Sequence, residues 1–161
     1  METIEYRTID KSTWGAGPWQ DEPDKVQFPD PDTGLPCLMV RNPRSGNWCG
    51  YVGVAEGHPA YAKKYCDVDV EVHGGLTFSA PCRPGSSESR DICHVLAPGE
   101  PDHVWWLGFD CAHWDDYMPA YSEKFRDFDE AGAGEYRDAE YVRAELRDLA
   151  RQVHELRGGK E

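Results

Sequence analysis

The stretch HVWWLGFDCAHWDD, residues 103–116, is the longest apolar run of the chain, and it ends in a cluster of polar side chains. A continuous apolar run of this kind is typical of a strand inside a sheet, so residues 103–112 are predicted to form one. A buried strand needs no cysteine, histidine or aspartate, whereas a metal site or a proton-transfer site does. The end of this strand is therefore a candidate functional site.

A second stretch, DVDVEVHGGLTFS at residues 67–79, also leads from an apolar pattern to a histidine. Its valines alternate with polar residues, which predicts a half-buried strand with His73 and Thr77 on the polar face. The pair Gly74–Gly75 within this pattern indicates a bulge, or a place where a ligand approaches the backbone.

We expect His73 and His113 to lie near each other in a single site. Each ends an apolar run, and packing demands an imidazole at neither position. Strict alternation would place the two histidines on different sheet faces. Their convergence therefore requires a bulge at Gly74–Gly75, or a position of His113 beyond the end of its strand.

The C-terminal part of the chain carries the clearest helix pattern. Residues 135–157 have high helix propensity, and apolar residues recur there at steps of three and four. The apolar stripe consists of Ala139, Val142, Leu146, Leu149, Val153 and Leu156, and Gly158–Gly159 is expected to end the helix. We predict an α+β fold in which an antiparallel sheet of about four to six strands packs against this long helix.

Shorter patterns predict the connecting elements. Residues 37–42 and 47–54, joined by PRSG, predict a β-hairpin. A short helix is expected to begin at Pro59, because proline is favoured at the first helical position. The composition of residues 81–91 predicts a surface loop, and residues 92–96 predict a short strand.

The first 36 residues differ in composition from the rest of the chain. Residues 1–36 are rich in proline, aspartate and glycine, so we expect an irregular acidic arm packed on the domain through Trp14, Trp19 and Phe28. Residues 37–161 are then expected to form a single domain, since a chain of this length suits one hydrophobic core.

The charge balance and the cysteines limit the class of protein. The net charge is −13, with 17 basic against 30 acidic residues, which disfavours direct binding of nucleic acid. We expect a cytoplasmic protein without a membrane partner, because no run has the length of a membrane span and the N-terminus has no signal-peptide pattern. The six cysteines contain no C-x-x-C motif, and all six thiols are expected to be reduced.

Several of the polar side chains are of types that bind zinc. Alternation along residues 103–112 would project Cys111 and His113 to the same side, and His73 or His94 could supply a further ligand. Zinc is therefore one hypothesis, and a nucleophilic pair of Cys111 and His73 is another. The alternative is that Cys111 fills the core as an unreactive thiol and that the histidines cap a strand or face solvent.

The runs CGYVGVAEGHPAY, DVDVEVHGGLTFS and WWLGFDCAHWDD, with the closing YRDAEYVRAELRDLARQ, resemble a family of small uncharacterised proteins encoded by tailed phages and some bacteria. The resemblance covers residues 49–152 and leaves out the N-terminal arm. It implies an intracellular accessory protein that acts on host or defence components. The family has no assigned activity, so the resemblance supplies no catalytic residue.

Three functions remain open. The first is a phage-type accessory protein that binds a small ligand or a host protein in a pocket formed by His73, Gly74, Gly75, Thr77, Asp110, His113 and Asp116, with Tyr51 and Trp106 as apolar walls. The second is a small hydrolase, with or without a metal, in which His73 or His113 is the base and Asp110 or Asp116 orients it or holds the metal. The third is an acidic interaction protein that presents its charge to a basic partner.

Overall fold

A six-stranded antiparallel sheet forms the centre of the fold in the residues that the computed structural model describes, 1–100, 102–124 and 134–156. Its strands are β1 (Ile4–Tyr6), β2 (Lys25–Pro29), β3 (Pro36–Arg41), β4 (Trp48–Ala55), β5 (Phe78–Pro81) and β6 (Val104–Asp110). Their order across the sheet is β1-β2-β3-β4-β6-β5. The α-helices of the described part are α1 (Pro119–Lys124) and α2 (Ala139–Glu155). The predicted α+β fold, an antiparallel sheet with a C-terminal helix packed on it, is confirmed.

Helix α2 buries the predicted apolar stripe against one face of the sheet. Val142, Leu146, Leu149 and Val153 are fully buried, and Ala139 and Leu156 pack at the edge of the same cluster. The helix begins at Ala139 rather than at residue 135, because the side chain of Asp138 accepts a hydrogen bond from the Tyr141 N–H at 2.8 Å and caps the first turn. Arg157 and Gly158–Gly159, where the helix was predicted to end, lie outside the described residues.

The two faces of the sheet follow the alternation that the sequence predicts for β6. Leu107, Phe109 and Cys111 belong to the cluster that packs against α2, whereas Trp106 belongs to a second cluster with Leu38 and Tyr51 on the opposite face. The predicted hairpin is confirmed, since β3 pairs with β4 in antiparallel register.

The prediction of an irregular N-terminal arm is wrong for two segments. β1 and β2 join the sheet, and β2 pairs with β3 along its whole length. The prolines of this region stand at the ends of the paired strands, Pro29 opposite Pro36, where they leave the ladder between them intact. Trp14 and Trp19 are buried as expected, in a small separate cluster with Ala120.

Residues 68–73 form an extended segment that lies along α2 and does not pair with a strand, contrary to the prediction. The Gln152 side chain accepts a hydrogen bond from the Glu71 N–H at 2.8 Å and donates one to the Glu71 carbonyl at 2.7 Å. The Glu145 carboxylate accepts a bond from the His73 N–H at 2.7 Å. Helix side chains thus satisfy backbone groups that a neighbouring strand would otherwise bind, and the valines still pack on the core.

Two further local predictions are wrong for similar reasons. Residues 92–96 do not pair with a strand, because the Gln27 side chain binds the Val95 N–H at 2.7 Å and contacts its carbonyl at 3.3 Å. After Pro59 the chain makes turns, and its short 3₁₀ helix lies at Tyr65–Asp67. The loop predicted at 81–91 is confirmed from residue 82 onward.

A disulfide joins Cys82 and Cys93, whose Cα atoms are 5.0 Å apart. The prediction of six reduced thiols is therefore wrong for this pair, because the 82–93 loop folds back on itself and brings together two cysteines that no motif connects. The free thiols are Cys37 and Cys111, both buried, Cys49, partly buried, and Cys66, exposed.

No helix within residues 1–100, 102–124 and 134–156 has both the length and the apolar character needed to cross a membrane.

Candidate functional site

The carboxylate of Asp116, buried just beyond the end of β6, holds two histidines and an arginine. His73 Nε2 lies 2.9 Å from Asp116 Oδ2, and His113 Nδ1 lies 3.1 Å from the same oxygen. Arg137 Nε donates to Asp116 Oδ1 at 2.8 Å, and the His113 N–H donates to Oδ2 at 3.0 Å. The centroids of the two imidazole rings are 5.5 Å apart, which confirms the prediction that His73 and His113 lie near each other.

A tight turn after β6 places His113 and Asp116. The Asp116 N–H donates to the His113 carbonyl at 2.9 Å, and the Asp116 side chain bonds back to the His113 N–H. Because β6 ends at Asp110, His113 lies beyond the strand and does not follow its alternation. This is the second of the two conditions under which the sequence allowed the histidines to converge.

Gly74 allows the His73 segment to approach this turn. It has a φ of +68°, and a Cβ atom at this position would overlap the His113 imidazole. Gly75 has a φ of +80° with open space where a Cβ would lie, and its N–H donates to the Val72 carbonyl at 2.8 Å. That N–H is committed to the turn, so it is not open to a ligand as the sequence suggested.

The Asp116 carboxylate is ionised at neutral pH. Burial alone would raise its pKa, but hydrogen bonds from His73, Arg137 and His113 outweigh burial and bring the pKa to about 2. The hydrogen bond to Asp116 in turn raises the pKa of Arg137. The guanidinium of Arg137 also lies 5.1 Å from the ring of Tyr141.

The hydrogen-bond partners assign a different tautomer to each histidine. His73 Nδ1 lies 2.7 Å from the Tyr141 hydroxyl, so Nε2–H donates to Asp116 while Nδ1 accepts from Tyr141. His113 donates to Asp116 through Nδ1–H, which leaves the lone pair on its Nε2. The nearest carboxylate oxygen to this Nε2, on Asp110, is 3.8 Å away and too far for a hydrogen bond. The His113 side chain is 33% exposed.

The donor set around Asp116 does not suit a metal ion. Ligand atoms of His73, His113 and Asp116 lie within 4.8 Å of one another, as a metal site requires. However, both nitrogens of His73 are engaged, and the Arg137 cation is bound to the same carboxylate. A metal would displace several of these bonds and would lie beside a fixed positive charge.

The predicted ligands Cys111 and His94 do not join this site. Cys111 is buried in the α2-facing cluster, and burial, followed by the charge of Asp116, raises the pKa of its thiol. This thiol is therefore neutral and fills the core, so the nucleophilic pair with His73 is not supported. His94 lies edge-on to Trp106 on the opposite sheet face, and burial lowers its pKa.

The other predicted pocket residues separate into two groups. Asp110 lies close to His113, and its Oδ2 accepts a hydrogen bond from the Thr77 hydroxyl at 3.2 Å. Tyr51 and Trp106 lie in the cluster on the opposite face of the sheet, so they do not form walls of the same pocket as His113.

Sequence reasoning missed three residues at the site. Arg137, two residues before α2, binds Asp116, and Tyr141, in the first turn of α2, binds His73, but the pattern indicated only a packing helix there. Trp114 follows His113 directly and is 92% exposed. Its position directly after a candidate histidine was the signal for it in the sequence.

No protein-family model matches the chain, and neither the curated proteins nor the solved structures contain a significant match. The resemblance to a phage-encoded family stays a prediction.

Proposed function

We propose that the protein binds a small molecule beside His113 and exchanges a proton with it. The observation that carries this proposal is the pairing of His113 Nδ1 with the buried, ionised Asp116, which leaves Nε2 without a hydrogen bond to another described residue, on a side chain that is 33% exposed. A carboxylate that orients an imidazole and stabilises its protonated form is the arrangement found in general acid–base sites. Trp114, the next residue in the chain, is exposed and offers an apolar surface.

Hydrolysis of a small substrate is the reaction that such a base serves most simply. His113 Nε2 would take a proton from water as the water oxygen attacks the substrate, and the resulting imidazolium would return the proton to the leaving group. Asp116 would stabilise the imidazolium through Nδ1–H. His73 is the positioning residue in this scheme, since its Nε2–H and Nδ1 are engaged by Asp116 and Tyr141.

The biological setting that we propose is that of a phage-type accessory protein acting on a component of the host. It rests on the sequence resemblance and on the net charge of −13, which disfavours nucleic acid as a direct partner. The third function, an acidic interaction protein that presents its charge to a basic partner, gains no support from His113, because a charged interface does not need an oriented imidazole.

Cleavage of p-nitrophenyl acetate tests the acid–base proposal without knowledge of the natural substrate, because this ester reports accessible basic imidazoles. The rate should fall to near the buffer rate in His113→Gln. His103→Gln is the matched control, since it removes an exposed imidazole that has no hydrogen bond or ion pair within the described residues, and it should keep most of the rate. Equal losses in the two variants, with melting temperatures unchanged, would contradict the proposal.

A further inference from the structure

A cavity of about 500 Å³ lies between the sheet and the 82–93 loop, on the face opposite α2. Its apolar wall includes Tyr51, Phe78 and Ile92, and the Tyr51 and Phe78 rings meet edge to face at 5.4 Å. This volume is in the range of small-molecule sites, which combine apolar walls with a few polar groups. The His113 site contributes none of the lining residues.

The charge around this cavity is opposite to that of the whole chain. Its lining contains three arginines, Arg41, Arg83 and Arg90, against one acid, Asp91, although acids outnumber bases 30 to 17 in the sequence. A second cavity of about 290 Å³ shares Arg41, Arg90 and Asp91 with the first and adds Asp24 to its lining, so Arg41 and Arg90 lie where the two cavities adjoin.

Two of the three arginines have no compensating partner among the described residues. Arg41 is paired with Glu22 at 3.2 Å and with Asp24 at 3.3 Å. The guanidinium groups of Arg83 and Arg90, in contrast, make no hydrogen bond or ion pair with any other residue that the structure describes. An anion in the cavity would therefore meet two guanidinium groups that no described residue binds. Each guanidinium presents its N–H donors as a fork, which suits a carboxylate or a phosphate.

The loop that covers the cavity is fixed before any ligand arrives. The buried ammonium of Lys25 donates to the backbone carbonyls of Glu88, Asp91 and Cys93, and the disulfide from Cys82 to Cys93 closes the loop. A preformed cover reduces the ordering cost of binding, which favours a ligand site over a surface groove that forms by chance.

We propose that this cavity binds a small aromatic anion, a carboxylate or a phosphate monoester. Its ring would pack against Tyr51 and Phe78, and its charged group would bind Arg83 and Arg90. The proposal is independent of the acid–base role of His113, since the two sites share no residue.

The test is a titration of the full chain, followed by amide NMR, with four probes: phenyl phosphate, benzoate, benzyl alcohol and inorganic phosphate. We expect phenyl phosphate or benzoate to bind about tenfold or more tightly than benzyl alcohol and inorganic phosphate, a difference of about 1.4 kcal/mol. The stronger of the two aromatic anions identifies the preferred headgroup. The proposal would be overturned if neither phenyl phosphate nor benzoate bound at about 10 mM. It would also be overturned if benzyl alcohol or inorganic phosphate bound as tightly as the two aromatic anions.

Two variants locate the binding. The double substitution Arg83→Gln and Arg90→Gln should weaken binding of the aromatic anion by about tenfold or more. Arg44→Gln is the matched control, because Arg44 is exposed and lies outside both cavities, and it should leave the affinity unchanged. His113→Gln should also leave it unchanged. Equal affinities for the double variant and the Arg44 variant would place the ligand elsewhere and refute the assignment.

Discussion

The backbone of Gly74 lies directly against the imidazole ring of His113, so that even one methyl group at residue 74 would overlap the ring. This contact joins the segment that carries His73 to the turn that carries His113 and Asp116. The site therefore depends on a missing side chain as well as on its hydrogen bonds.

Gly74→Ala should destabilise the protein and disturb His113, and Gly75→Ala provides the matched control. Both positions have positive φ, which is unfavourable for a residue with a side chain. Both substitutions should therefore lower the free energy of unfolding by roughly 1 kcal/mol or more. Only residue 74 is crowded by His113, which should add roughly 1–3 kcal/mol. Urea unfolding of the two variants measures the difference, and equal stabilities would contradict the contact.

Leu146→Asp should unfold the protein or lower its stability by several kcal/mol, on the order of 4, because it places a charge in the core beneath α2. Ala144→Asp changes an exposed position of the same helix and should shift stability by less than about 1 kcal/mol. Thermal melting followed by circular dichroism compares them. An unchanged melting curve for Leu146→Asp would mean that the stripe is not buried.

Native protein alkylated without reductant should be labelled at Cys66 first. Cys37 and Cys111 should resist, since burial raises the pKa of both thiols, and burial raises the pKa of Cys49 to about 12. Cys82 and Cys93 should react only after reduction, which should also cost on the order of 2–3 kcal/mol of stability. Peptide mass spectrometry gives the result, and ready labelling of Cys82 and Cys93 in unreduced protein would disprove the disulfide.

Stability should depend on the charge of Asp116 at low pH. Its pKa is lowered from 3.8 to about 2 by folding, so its contribution is fully present above about pH 4 and is lost as the pH falls towards 2. The stability difference between the wild-type protein and Asp116→Asn should therefore shrink between about pH 5 and about pH 2. Urea midpoints across this range measure it, and a constant difference would show that folding does not lower this pKa.

The sequence predicts the elements whose pattern is long and regular. The stripe of α2 and the apolar run of β6 are repeated signals, and both are confirmed. Short patterns failed where a side chain replaces a strand as backbone partner. The Gln152 side chain binds the backbone of Glu71, and the Gln27 side chain binds the backbone of Val95. Neither side-chain amide can be recognised as a backbone partner before the fold is known.

The candidate site was predictable in part. His73, His113 and Asp116 could be named because imidazoles and a carboxylate at the ends of apolar runs have no packing role. Arg137 and Tyr141 could not, since they come from the start of α2 and the residues just before it, which are distant in sequence from the residues they bind. Tyr51 and Trp106 were assigned to the wrong pocket because alternation gives the face of a strand, but not which polar loop covers that face.

The tautomers of the two histidines test the central claim most directly. A long-range ¹H–¹⁵N correlation spectrum at about pH 8, above the range in which imidazole is usually protonated, distinguishes the two neutral forms, and His113→Gln and His73→Gln assign the signals. We predict that His113 carries its proton on Nδ1 and leaves Nε2 free, whereas His73 carries its proton on Nε2. A His113 ring protonated on Nε2 would contradict the claim that Asp116 holds this histidine as an available base.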